Sequence, residues 1–452
     1  MKKIVRILAV AVLSIALIRP ICAEQPAAHP VSPWIKAGVI YEINPRTFSA
    51  TGDFRGIEQR LGDLHDLGVT ILWLMPIHPV GQAKKKGSAG SPYAVKDYYG
   101  INSSYGTKED LKSLVGAAHQ RGFRIIIDIV ANHTAWDSVL MKHPEFYKKD
   151  AAGNIIPPNP DWTDVAGLDY RNPQLRIYMT DMLKHWLKEF ELDGFRCDVA
   201  GDVPTDFWEN ARTELVKIKP DIIMIAEANK PELLVKAFDL DYAWPFYHAM
   251  ADVAEDGKSA QSIAQNWSSE RERFPKGAME MRFSDDHDEK RSIARFGERG
   301  ALAASALVFT TDGVPVLYNG QEVGDTTEST APALFEKMPV FWAIGERRSN
   351  FLPFYKQLIA LRRAHPALQQ GETEFVENGA PDRILTFIRH AAGEEYFIAI
   401  NLSNRPYAGI ANVPNSEYLD ETPGRAETDR KQVSLPALVL NAWDFRIYRR
   451  VR

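Results

Sequence analysis

Eight strand-like runs recur along this chain, largely apolar where they are strong, and each ends in polar residues. Five are strong: Val39-Ile-Tyr-Glu-Ile43, Val69-Thr-Ile-Leu-Trp-Leu-Met75, Arg124-Ile-Ile-Ile-Asp-Ile-Val130, Leu192-Asp-Gly-Phe-Arg-Cys-Asp-Val199 and Ile222-Ile-Met-Ile-Ala226. Three are weaker: Phe238-Asp-Leu-Asp-Tyr242, Met279-Glu-Met-Arg-Phe283 and Val314-Pro-Val-Leu-Tyr318. A strand that is apolar on both faces has to be covered on both, as a parallel strand wrapped by helices is. The segments between supply those helices. In residues 108–121, Leu111, Leu114, Val115 and Ala118 fall at helical spacing, and residues 175–190 and 206–217 are patterned similarly. Eight strand–helix units predict an α/β fold, a (β/α)8 (TIM) barrel whose functional groups gather at the C-terminal ends of the strands.

Two stretches depart from a plain barrel. The segment after the third strand is rich in Asn, Pro, Gly and Asp and too long for a simple connection, which predicts a short inserted subdomain over about residues 134–172. Beyond about Ala364 the pattern changes to short alternating segments such as Ile384-Leu-Thr-Phe-Ile388 and Tyr396-Phe-Ile-Ala-Ile400, which predicts a C-terminal antiparallel, sandwich-like β-domain. The N-terminus has Lys2, Lys3 and Arg6 ahead of an uncharged run from Ile7 to Ile18 and a small-residue exit at Ala23. That is the pattern of a secretory signal peptide. The expected organisation is a leader over 1–23, a catalytic barrel over 24–365 and a β-domain over 366–452, in a secreted or periplasmic protein with no membrane segment after cleavage.

Composition narrows the chemistry. A net charge of −5 lacks the basic surplus of a nucleic-acid binder. After removal of the leader Cys197 is the remaining cysteine, which excludes an intramolecular disulfide and a thiolate zinc cluster. No Gly-x-Ser-x-Gly elbow and no phosphate-cradling glycine loop occurs. Metal-dependent barrel hydrolases collect histidines, often as His-x-His on a strand, and this chain has none. The strand ends instead carry carboxylates with an arginine and two histidines: Asp128 to His133, Arg196-Cys-Asp198, Glu227, and Asp286-His287-Asp288. Paired carboxylates beside hydroxyl-binding polar groups suit glycosidic chemistry, where one acts as nucleophile and one as proton donor.

The ordered motifs resemble glycoside hydrolase family 13, the α-amylase family, from about Gly38 to Glu322. Asp128 to His133, Gly194-Phe-Arg-Cys-Asp198, Ile225-Ala-Glu227 and Phe283 to Asp288 are similar to its four core regions, in order. Gly38 to Phe48, Ser91-Pro-Tyr93 to Asp97, Leu168 to Pro173 and Gly313 to Glu322 are similar to flanking ones. The resemblance implies Asp198 as nucleophile, Glu227 as general acid/base and Asp288 as the carboxylate that holds substrate hydroxyls. It implies substrate contacts from Tyr93, His133, Arg196 and His287, with Tyr93 stacked on the cleaved ring. Arg196, two residues back on the same strand face, is expected to lower the Asp198 pKa. Asp128 is expected to support its strand.

Departures from the family pattern bear on metal and specificity. Val199-Ala-Gly-Asp202 follows Asp198 without the Lys-His of true α-amylases that feeds their calcium site, and the first loop, Ser49-Ala-Thr-Gly-Asp-Phe54, is short. With Asn132 left as a partial calcium ligand set, no metal ligand and no required cofactor are assigned. Asp286 stands where Asn usually precedes the His-Asp pair and is expected to add negative charge. The resulting expectation is a retaining α-glycosidase acting on α-glucans or maltooligosaccharides. The rival readings are a transglycosylase of the same family and a non-catalytic carbohydrate-binding relative.

Overall fold

The computed structural model describes residues 26–424 and 431–451. The expected leader, with Cys22, lies outside the described residues. All eight apolar runs form strands: β1 (Ile40–Ile43), β2 (Ile71–Leu74), β3 (Arg124–Val130), β4 (Gly194–Asp198), β5 (Ile223–Ala226), β6 (Leu240–Tyr242), β7 (Glu280–Arg282) and β8 (Val314–Tyr318). They close into a barrel in the order β1-β8-β7-β6-β5-β4-β3-β2, and every neighbouring pair is parallel. The weaker runs are the three-residue β6 and β7 and the proline-bearing β8, where less chain is available to show a pattern.

The helices form where spacing and caps coincide. Lys108–Gln120 starts at Thr107, whose hydroxyl accepts from Asp110 N–H while Asp110 returns a bond to the cap, and it buries Leu111, Leu114, Val115 and Ala118. Pro173–Phe190 has Asn172 as its cap, proline in its first turn, and a buried stripe that includes Leu175, Met179, Met182, Trp186 and Phe190. Gly194 opens β4 at φ +155, and a Cβ there would collide with the Ile223 carbonyl of β5. That close approach seats β4 on β5 in the register Cys197↔Ala226, which brings the ends of the two strands side by side.

The insertion after β3 is small. His133–Ala135 pairs antiparallel with Val165–Gly167, and two single 3₁₀ turns lie between. Buried Tyr98 donates from one hydroxyl toward the carbonyls of Val130 and His133, at 2.6 and 2.8 Å, and so fixes the exit of β3. At the C-terminus a six-stranded antiparallel sheet runs from Glu372–Phe375 to Gln432–Leu435, beside the separate pair Tyr407–Ile410 and Ala437–Leu440. Alternate residues face opposite ways. Ile398 and Ile400 join the barrel's core, while Phe397 and Ala399 pack with Tyr418, Leu438 and Leu440 in a core of the β-domain's own.

Candidate active site

The centre of the barrel mouth is Arg196, fully buried on β4. One guanidinium nitrogen lies 3.0 Å from both oxygens of Asp128 and 3.1 Å from Asp198 Oδ1. The other lies 3.0 Å from Glu227 Oε2, and Nε donates to the Tyr242 hydroxyl at 3.0 Å. The rings of Trp73, Tyr93 and Tyr242 surround the cation at 5.2, 5.8 and 5.5 Å. A single arginine therefore holds three carboxylates. Asp128, expected only to brace its strand, is one of them. Tyr242 joins the cluster without having been singled out; the signal was a hydroxyl at the polar end of β6.

Asp198 and Glu227 each have one oxygen fixed and one free. Asp198 Oδ1 is on Arg196, while Oδ2 is buried without a hydrogen-bond partner and 4.0 Å from His133 Nε2. Glu227 Oε2 accepts from the Val199 N–H at 2.7 Å and is ion-paired with Arg196 at 3.0 Å. Val199 reaches that position with φ 45 and ψ 40, a left-handed conformation costly for a β-branched residue. Local strain there aims the backbone donor at Glu227. The donor and the guanidinium charge both face Oε2, so a proton on Glu227 belongs on Oε1.

The Asp198 carboxyl lies above its ordinary range, opposite to the sequence expectation. Burial is the largest cause and Glu227 the next; Arg196 opposes both, but its charge is divided among three anions. The same division leaves Asp128 pushed up by burial to about 6. His133 is driven down by burial to about 4, so its imidazole is neutral near pH 7.

His287 anchors the opposite wall. Its Nδ1 is 2.5 Å from Glu42 Oε1, and its Nε2 is 2.6 Å from the Tyr93 hydroxyl and 3.2 Å from Asp288 Oδ2. Tyr93 in turn donates to Asp128 Oδ2 at 3.2 Å and lies face to face with His287, centroids 5.4 Å apart. Burial disfavours an imidazolium there, but the Asp288 and Glu42 carboxylates outweigh it and hold His287 protonated well above the ordinary histidine value. Asp288 shows the reciprocal effect: burial works to raise it, and His287 brings it below the usual carboxylate range. Glu42 was not among the expected site residues, although a carboxylate inside the apolar β1 was the visible signal.

The structure thus brings Asp198, Glu227, Asp288, Tyr93, His133, Arg196 and His287 to one mouth. Asp286 Oδ1 accepts from the N–H groups of Asp288 and Glu289 at 3.0 and 2.9 Å, which shapes the turn that presents Asp288. Burial first, and the surrounding carboxylates against the opposing His287, push its carboxyl well above the usual range. The Asn132 side-chain Nδ2 is buried without a partner, and the Asp169 carboxylate is clasped by Arg171 at 2.6 Å. Among the described residues no group of three or more His, Cys, Asp or Glu side chains is arranged to hold a metal ion.

Comparison with known proteins agrees with this geometry. The family model described as the α-amylase catalytic domain matches residues 40–153 and 160–343. The chain is 27% identical over 404 residues to the α-amylase MalA of Haloarcula japonica, covering 85% of this chain and 58% of that protein. It is 30% identical over 388 residues to the intracellular maltogenic amylase of Bacillus subtilis, covering 76% and 64%. It thus spans less than two thirds of the length of either relative. Among solved structures, a noncanonic maltogenic α-amylase, AmyB, from Thermotoga neapolitana superimposes with a TM-score of 0.83 at 30% identity, over 92% of this chain and 99% of that one. An α-amylase from Lactobacillus plantarum gives 0.80 at 29% identity, with the same coverage.

Proposed function

The chain belongs to the α-amylase family of glycoside hydrolases, and from that premise we propose that it is a retaining α-glycosidase that hydrolyses α-glucosidic bonds in α-glucans or maltooligosaccharides. The observation that carries this reading is the clasp of Asp198 and Glu227 by adjacent nitrogens of Arg196, at 3.1 and 3.0 Å. Two carboxyls drawn onto one guanidinium from neighbouring strands, which lie only ~4.8 Å apart, favour the ~5–5.5 Å spacing of retaining enzymes over the wider gap that admits a water.

Each step then has a group placed for it. Glu227 donates its Oε1 proton to the glycosidic oxygen as that bond breaks. Asp198 attacks the anomeric carbon through the free Oδ2, and a β-glycosyl ester forms on Asp198. Glu227, now a carboxylate, takes a proton from water, which attacks the anomeric carbon, breaks its bond to the Asp198 oxygen and releases the sugar with net retention. Arg196 offsets the negative charge that passes between the two carboxylates. Asp288, paired with the His287 imidazolium, and the neutral His133 ring are placed to take sugar hydroxyls. Tyr93, with one face against His287, borders the cleaved ring.

Proton NMR of the first sugar released from a maltooligosaccharide tests the assignment. The α-anomer is expected, and a β-anomer would show that Asp198 is not the nucleophile. The leader pattern supports export, so this hydrolysis is placed outside the cytoplasm.

A further inference from the structure

One contact on the rim of the mouth has no part in the chemistry above. The loop after β2 reaches sideways in both directions. Toward the insertion, Lys86 Nζ lies 3.0 Å from Asp164 Oδ1 and donates to the Asp161 carbonyl at 3.1 Å, while Lys84 Nζ sits 3.4 Å over the Trp136 ring. Gln82 N–H also donates to the Asp137 carboxylate. Toward the segment after β8, Ala89 N–H donates to the Phe335 carbonyl at 2.9 Å and Ser88 N–H to Glu336 at 2.9 Å. Gly87, at φ +64, packs so tightly on Phe335 that a Cβ would collide with it. From below, nearly buried Arg46 donates to the carbonyls of Gly90 and Leu334, at 3.1 and 2.9 Å. Lys86 Nζ also lies 5.8 Å from the centre of the Phe335 ring, so a single charge faces both neighbours. Because β3, β2, β1 and β8 are consecutive in the barrel, residues 82–90 form an unbroken parapet over that side of the mouth.

The polarity of the bound chain follows from the acid. Glu227 on β5 protonates the oxygen of the leaving group. The sugar that stays on Asp198 therefore lies toward Tyr93, His133 and His287. Any sugars on its non-reducing side continue away from Glu227, toward β2 and β1. The parapet stands across that route, and Lys86 holds the Asp161 carbonyl, next in the chain to Trp162, whose ring is 5.7 Å from His133.

We propose that residues 82–90, fastened by Lys86 to Asp164, close the non-reducing end of the cleft, so that the enzyme cuts short units from the non-reducing end of its glucan. This rests on the glycosidase reading above. The Asp164 side chain is 8% exposed and the Lys86 side chain 36%, so the carboxylate half of the pair is shielded, and the Asp161 carbonyl adds a second bond that holds the loop down. A chain threading through from inside a polymer would have to displace it.

The test compares a 4-nitrophenyl maltoheptaoside with the same compound carrying a 4,6-O-ethylidene block on its non-reducing sugar, with products resolved by mass spectrometry. The wild-type enzyme is expected to cut the free compound and to discriminate against the blocked one by about a hundredfold in kcat/KM. Lys86→Ala should keep its rate on the free compound and gain about tenfold on the blocked one. Deletion of residues 84–87 should gain at least as much. Comparable cutting of both compounds by wild type overturns the wall and leaves the glycosidase reading standing. Continued refusal of the blocked compound by both variants, each still active on the free one, overturns the role given to this loop. Cutting of neither compound by wild type overturns the glycosidase reading, and the wall with it.

Discussion

Replacing Glu42 by Gln removes the charge that most directly faces His287 while keeping nearly the same shape. Glu42 is fully buried, and its Oε1 lies 2.5 Å from His287 Nδ1. Two unit charges ~4 Å apart at an effective dielectric of about 20 interact by about 4 kcal/mol. At 1.36 kcal/mol per pH unit that sets an upper bound of about 3 units. Two things bring the effect below this bound: Asp288 still faces Nε2 at 3.2 Å, and the glutamine carbonyl still accepts the Nδ1 proton. The alkaline limb of kcat/KM should therefore move down by about 1–3 pH units, with little change on the acid side of the profile. Glu42→Asp, which restores the charge, should bring the limb most of the way back. The stability effect has a defined sign. A histidine whose pKa is raised in the folded protein stabilises it fully below the unfolded value of 6.5, and that contribution disappears as pH rises through the folded value. The Tm gap between wild type and Glu42→Gln should be widest in mild acid and narrow in alkali. A folded variant whose alkaline limb stays in place, or whose Tm gap widens in alkali, would refute the view that this pair keeps His287 charged.

Turnover should survive dialysis against EDTA, because Val199-Ala-Gly-Asp202 follows Asp198 without the Lys-His that feeds a calcium site and the chemistry is assigned to protein carboxylates alone; loss of activity restored specifically by calcium would count against this. If the leader is cleaved as its pattern predicts, N-terminal sequencing of protein recovered from outside the cytoplasm should begin at Glu24, and an intact Met1 on active protein would contradict export.

The barrel was legible because a parallel strand wrapped on both faces is largely apolar, and five strong runs of that kind with three weaker ones leave few other folds. The carboxylates at the strand ends were legible for the same reason: a charged residue terminating an apolar strand is conspicuous. What stayed hidden was which group faces which. Glu42 and His287 are 245 residues apart, so a buried carboxylate in β1 announced that it needed a partner without saying which one. The Asp198 pKa went astray through the same gap. On one strand, Arg196 two positions before Asp198 reads as a private ion pair that would favour the carboxylate. In the closed barrel the same guanidinium also meets Asp128 from β3 and Glu227 beyond β5, and burial exceeds its remaining share. Asp286 shows the same effect: a formal charge in the chain has its carboxyl pushed up once it is buried among other carboxylates. Sequence order displays the charges of such a site, but their protonation depends on how many anions share each cation, and only closing the barrel sets that number.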